Sequence, residues 1–84
     1  MPESVLDVRH EPPVFRYELI THAYNDLQPG GSFVLINDHD PMPRFNQLMR
    51  GHPGDCTWDY LERGPHTWRV RIGRPLNRLR VGPV

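Results

Sequence analysis

The residues in this chain best equipped for chemistry are five histidines, one cysteine and a handful of carboxylates. Asn37-Asp38-His39-Asp40 sets an imidazole between two carboxylates. Histidine with carboxylates suits zinc or iron, held by three protein ligands with one position open. Much of that segment also has a purely structural use. Asn37 and Asp38 can make side-chain-to-backbone turns, Asp40 can cap a helix, and Pro41 fits its first position. Only His39 is left over by that account. Cys56 is the single cysteine, which rules out an internal disulfide framework and any zinc site built on two or more thiolates. There is no nucleophile–base pair at recognisable spacing, no glycine-rich phosphate loop and no pair of catalytic carboxylates. The chain is not expected to be an enzyme.

Its 84 residues allow one domain, 1–84, with one modest core. No run of about 18 apolar residues offers a membrane span. The opening Met1-Pro2-Glu3-Ser4 lacks the basic and apolar regions of a secretory signal, so a cytoplasmic protein is expected. Charge is balanced overall but unevenly placed. Residues 1–62 carry a net charge of −6, and residues 63–84 carry +6 from six arginines and no acid. Such a tail can bind nucleic acid, but no aromatic-rich binding signature accompanies it. Neutralisation of the chain's own acidic body is the expected role.

The elements that must position these groups follow from periodicity. Val5-Leu6-Asp7-Val8 reads as a strand. Pro12-Pro13 starts a helix over roughly 13–28, where Phe15, Leu19, Ile20, Ala23 and Leu27 recur at helical spacing until Gln28-Pro29-Gly30-Gly31. Arg16 falls on the apolar side of this helix. There it can reach back over the loops to Asp38 or Glu11, or snorkel from the helix end. Ser32 to Ile36 is an apolar strand covered on both faces, and a second short helix is expected over 41–50, with Phe45, Leu48 and Met49 inward. Cys56, Trp58 and Tyr60 alternate in a third strand, and Trp68, Val70 and Ile72 in a fourth. A three-residue hairpin loop would set Asp59 opposite Arg69 and keep the aromatic rings on one sheet face, as core rather than a stacking platform. Residues 73–84 form an irregular basic tail. Both helices fall on one face, so the expected fold is an α/β two-layer sandwich, β-α-β-α-β-β. Val34 and Ile36 on the other face then need a cover: Leu76, Leu79 and Val81 of the tail, or a second subunit.

Leu6-Asp7-Val8-Arg9 followed by a proline pair resembles the opening of TusA-type sulfur carriers. A closer resemblance is to a bacterial family catalogued as domain of unknown function 2249. It rests on Leu6-Asp7-Val8-Arg9, Arg16-Tyr17-Glu18-Leu19-Ile20, Asn37-Asp38-His39-Asp40-Pro41 and the two tryptophan-bearing strands around Trp58 and Trp68. The resemblance implies a TusA-like four-stranded mixed sheet of order 1-2-4-3 with only strand 4 antiparallel. It also implies a possible redox or iron-handling partner, since related domains occur fused to hemerythrin-like domains. The carrier chemistry does not carry over, because Pro13 stands where the persulfide cysteine would be. Cys56 opens strand 3 at the far end of the implied sheet, in a setting more typical of an apolar filler.

With that topology, three loops meet at the carboxyl edge of the parallel strands, where open α/β sheets place their sites. They gather Arg9, His10, Arg16, Asp38, His39 and His66 as candidate ligand-binding residues. His39 and His10 are the candidate ligands of a divalent transition metal, while two helix N-termini make the edge equally suited to a small anion. The expected function is a small cytoplasmic accessory module serving a protein partner. The alternatives are a metal or anion site at that edge, and sulfur transfer through Cys56.

Overall fold

The computed structural model describes residues 3–43, 46 and 56–76. Five elements are defined there: β1 (Ser4–Asp7), α1 (Pro13–Asn25), β2 (Ser32–Asn37), β3 (Thr57–Arg63) and β4 (Trp68–Gly73). They build one four-stranded mixed sheet of order β1-β2-β4-β3. β1 pairs with β2 in parallel, and β4 pairs antiparallel with both β2 and β3.

α1 begins where its sequence says it should, with Pro12 at the cap and Pro13 at the first helical position, where a missing N–H costs nothing. It buries Arg16, Ile20 and Tyr24, a one-residue-per-turn row, with Leu19, Ala23 and Leu27 beside it. Val8, Ile20, Tyr24, Phe33, Leu35, Val70 and Ile72 form the core between helix and sheet. Phe15, expected on the buried stripe, is 53% exposed, and its neighbour Val14 is 75% exposed. The helix is rotated so that Arg16, not Phe15, faces inward.

Among the described residues one helix element is defined, rather than the two expected. Asp40 accepts the Met42 N–H at 3.1 Å, the bond a capping residue makes. Beyond it only Met42, Pro43 and Asn46 are described, and the rest of the helix expected over 41–50 lies outside the described residues.

The hairpin register also differs from expectation. Asp59 faces Arg71, not Arg69, and the connection is Gly64–Thr67, four residues rather than three. The four-residue connection and a bulge between Tyr60 and Glu62, which leaves Leu61 unpaired, together set this register. Skipping one residue keeps Glu62 opposite Arg69 on the outer face and brings Arg63 round beside Trp68. The Arg63 guanidinium then lies 4.2 Å from the centre of the Tyr60 ring. Tyr60 meets Trp58 and Trp68 edge-on, at 5.9 and 6.1 Å between centroids. The three rings are part of the sheet's packing, as their alternation implied.

On the outer face Val34 is 5% exposed. Arg71, its partner on β4, bonds the Glu3 carboxylate at 2.9 Å, so the pair spans β2 from β4 to the start of β1. An arginine stem is cover that the apolar pattern did not suggest. Leu76 is 57% exposed, and Leu79 and Val81 lie outside the described residues.

Candidate functional site

β1 and β2 run parallel, so the loop that follows each one opens at the same edge of the sheet. The first loop, residues 8–12, leads into α1, and the second, residues 38–41, leads away from β2. Two short backbone bonds anchor their roots: Val8 N–H to the Ile36 carbonyl at 3.0 Å, and Glu11 N–H to the Val8 carbonyl at 3.1 Å.

Arg16 joins the two loops. The residue is 8% exposed, and its guanidinium has five N–H donors in a fixed fork. Nε donates to the Glu11 carbonyl at 2.9 Å, and one terminal nitrogen donates to Asn37 Oδ1 and Asp38 Oδ1, both at 2.9 Å. The other donates to the Arg9 carbonyl at 3.1 Å and to Asp38 Oδ2 at 3.4 Å. Five donors meet five acceptors, two on the first loop, two on the second and one at the end of β2. An arginine in the buried row of a helix is tolerated because every polar hydrogen finds a partner.

The second loop is held residue by residue. Asn37, 1% exposed, accepts from Arg16 and from the Asp38 N–H at 2.8 Å. Asp38 carries the ion pair with Arg16 and a 2.8 Å contact to His39 Nδ1. These neighbours, Arg16 first and His39 second, hold its carboxyl down at about 2. Asp40 accepts the Met42 N–H and the Tyr60 hydroxyl at 2.7 Å. Pro41 is fully buried. His39 stands out of this set, its side chain 60% exposed.

The other expected residues are placed less tightly. Arg9 contributes its carbonyl to Arg16, but its guanidinium turns back to Asp7, with bonds of 2.9 and 2.6 Å. That pairing holds the Asp7 carboxyl at about 2. Both alternatives for Arg16 resolve toward pairing: it takes the Asp38 carboxylate and, from Glu11, the carbonyl rather than the side chain. His10 lies exposed in the first loop and His66 exposed in the hairpin connection. Among the described residues, no group of three or more histidine, cysteine, aspartate or glutamate side chains is gathered closely enough to hold a metal ion.

Two members of the site escaped sequence reasoning. Asn37 passed as a turn former, although its place at the end of an apolar strand was a signal that its amide would be buried and bonded. Tyr60 passed as core. Its hydroxyl ties β3 to the second loop, a contact 20 residues apart with no local signature. Cys56 stands at the opposite end, just before the Thr57–Gly73 pair. Its thiol donates to the Thr57 carbonyl at 3.4 Å, and burial pushes it up to about 11.

No curated protein and no solved structure gives a significant match to the chain. A family model does match, over residues 5–74, which takes in all of α1, β2, β3 and β4 and nearly all of β1. By that match the chain belongs to the family described as Uncharacterized conserved protein (DUF2249).

Proposed function

We propose that this domain is a binding module that presents the strand-end edge to a protein partner, without catalysing a reaction of its own. The observation that carries this reading is the Arg16 fork. A buried cation whose whole donor set is spent on two loops and the end of β2 makes those loops rigid before any ligand arrives, and rigidity lowers the cost of association. Beside them the first turn of α1 exposes Val14 and Phe15, an apolar pair of the kind that anchors an interface.

A small anion is the weaker reading for this edge. The two arginines that would attract it, Arg9 and Arg16, are neutralised by Asp7 and Asp38. Sulfur transfer is weaker still, because a carrier thiol needs a lowered pKa and Cys56 has a raised one. The sheet order β1-β2-β4-β3 with β4 antiparallel supports a TusA-like fold that has lost the carrier cysteine. A bacterial, cytoplasmic setting belongs to the same reading, and a half-buried free thiol suits a reducing compartment.

Photo-crosslinking tests the proposal. A photoreactive residue at position 15 or 10, in cells that make the protein, should yield one discrete adduct with an identifiable protein. The same residue at Asp26, at the other end of α1, should not. Equal labelling from both ends, or none from position 15 and position 10, would refute the reading.

A further inference from the structure

A groove of about 320 Å³ runs between the C-terminal half of α1 and β1. Val5, Leu6, Ala23, Leu27 and Phe33 give it apolar walls, and Val5 is 62% exposed. Ser4 and Asp26 complete the lining at the end where α1 stops.

Two observations bring one segment of this chain to that end. The first is the path of the backbone. Beyond β4 the chain runs on against the loop that enters β2. Arg74 bonds Gly30 and Gly31 through its backbone, at 2.6 and 2.9 Å, and its guanidinium holds the Leu27 carbonyl at 3.0 Å. Leu76 sits over Gly30, where an added methyl group would stand 3.2 Å from it. Since Leu27 is itself part of the lining, the last described residues stand beside the mouth of the groove. From β4 to β1 the sheet order counts two strand spacings, about 10 Å, which three residues of extended chain cover. Three residues beyond Leu76 is Leu79.

The second observation is the match of pattern and charge. Arg78-Leu79-Arg80-Val81 alternates at the period of a strand, with one apolar side and one basic side. The groove offers apolar walls to the first. To the second it offers the Asp26 carboxylate and the negative C-terminal end of α1, a setting that favours arginine and that Arg74 already uses. We propose that residues 77–84 of this chain dock in this groove alongside β1, with Leu79 and Val81 inserted and Arg78 and Arg80 outward. Val34, which these side chains were expected to cover, is already 5% exposed beside the Arg71–Glu3 pair. The groove lies at the opposite end of α1 from Arg16, so the docking stands apart from the protein-partner reading.

The test is NMR of the full chain with labelled methyl groups. Nuclear Overhauser contacts should join the Leu79 and Val81 methyls to Ala23, Leu27 and Phe33. They should persist on dilution and not arise between labelled and unlabelled copies in a mixed sample. Leu79→Ser combined with Val81→Ser should move the Ala23 and Leu27 methyl signals. It should also lower the thermal midpoint by roughly 4–8 °C, the shift a modest loss of burial produces in a domain of this size. Should that variant unfold, the contacts within the unaltered protein still decide. Contacts of the two side chains with Val34 and Ile36 instead, contacts that arise only between copies, or contacts with none of these residues would each overturn the proposal. So would a folded double variant whose groove signals stay in place.

Discussion

Arg16 shows how a residue that breaks a pattern can be the one that organises a site. Its helical position was plain from the spacing, and so was its choice between the loops and solvent. Its five acceptors were not, because two are backbone carbonyls and one is the amide of a residue 21 positions away. Replacing it by methionine keeps the aliphatic stem but strands those acceptors. The expected cost is about 2–4 kcal/mol, the scale for leaving buried polar groups unmatched. Arg16→Lys should recover only part of it, because an ammonium cannot reproduce the fork. Denaturant midpoints at constant slope give both values; a methionine variant as stable as the parent would show the fork to be dispensable. Acid should act on the same bond. The Asp38 carboxyl sits at about 2 in the fold against an ordinary 3.8, held down first by Arg16. A depressed folded value means stability that is complete above about pH 4 and lost as pH falls toward 2. Asp7, held at about 2 by Arg9, adds to the same limb. Thermal midpoints between pH 7 and pH 2 should therefore fall less in Asp38→Asn than in the parent. An identical acid profile would mean that the pair contributes nothing.

Strand and helix positions were legible because alternation and helical spacing are local, and here local pattern agrees with tertiary need. What was not legible at this scale is any shift that pairing or packing decides. The bulge at Leu61 is one such shift: the alternation from Thr57 to Tyr60 breaks at Leu61, but only the pairing shows that this residue is skipped. The rotation of α1 is another, since Phe15 and Arg16 are adjacent and one must face out. The hairpin that follows the bulge turns at Gly64, with φ of +64°, and closes with its N–H on the Thr67 carbonyl at 2.8 Å. A methyl group there would sit 2.8 Å from the Trp68 indole. Gly64→Ala therefore combines left-handed strain of about 1 kcal/mol with a clash against a ring that also touches Tyr60. A loss of roughly 2 kcal/mol or more is expected, together with altered tryptophan fluorescence from a displaced Trp68. Unchanged stability and fluorescence would mean that the turn relaxes at no cost.

Across the whole molecule the two ends of the sheet have different characters. Acidic body and basic C-terminal segment meet on the outer face, where Arg71 takes Glu3 and faces Asp59, and Arg69 faces Glu62. The Arg71 charge is thereby used within the sheet. Polar groups converge at the carboxyl ends of β1 and β2, where Arg16 gathers them. The opposite end is sealed instead: Gly30 N–H bonds the Arg74 carbonyl at 2.6 Å, Arg74 N–H bonds the Gly31 carbonyl at 2.9 Å, and the Arg74 guanidinium bonds the Leu27 carbonyl at 3.0 Å. Cys56 belongs to that sealed end. With its thiol pushed up to about 11 from an ordinary 9.0, the thiolate present at pH 8 is about a hundredfold scarcer than for an unhindered cysteine. Alkylation by iodoacetamide should be slow by a comparable factor in the folded protein and normal in denaturant. Incubation with a persulfide donor should leave the intact mass unchanged. A stoichiometric gain of one sulfur on Cys56 in the folded protein would restore the carrier reading and overturn the view that this end is structural.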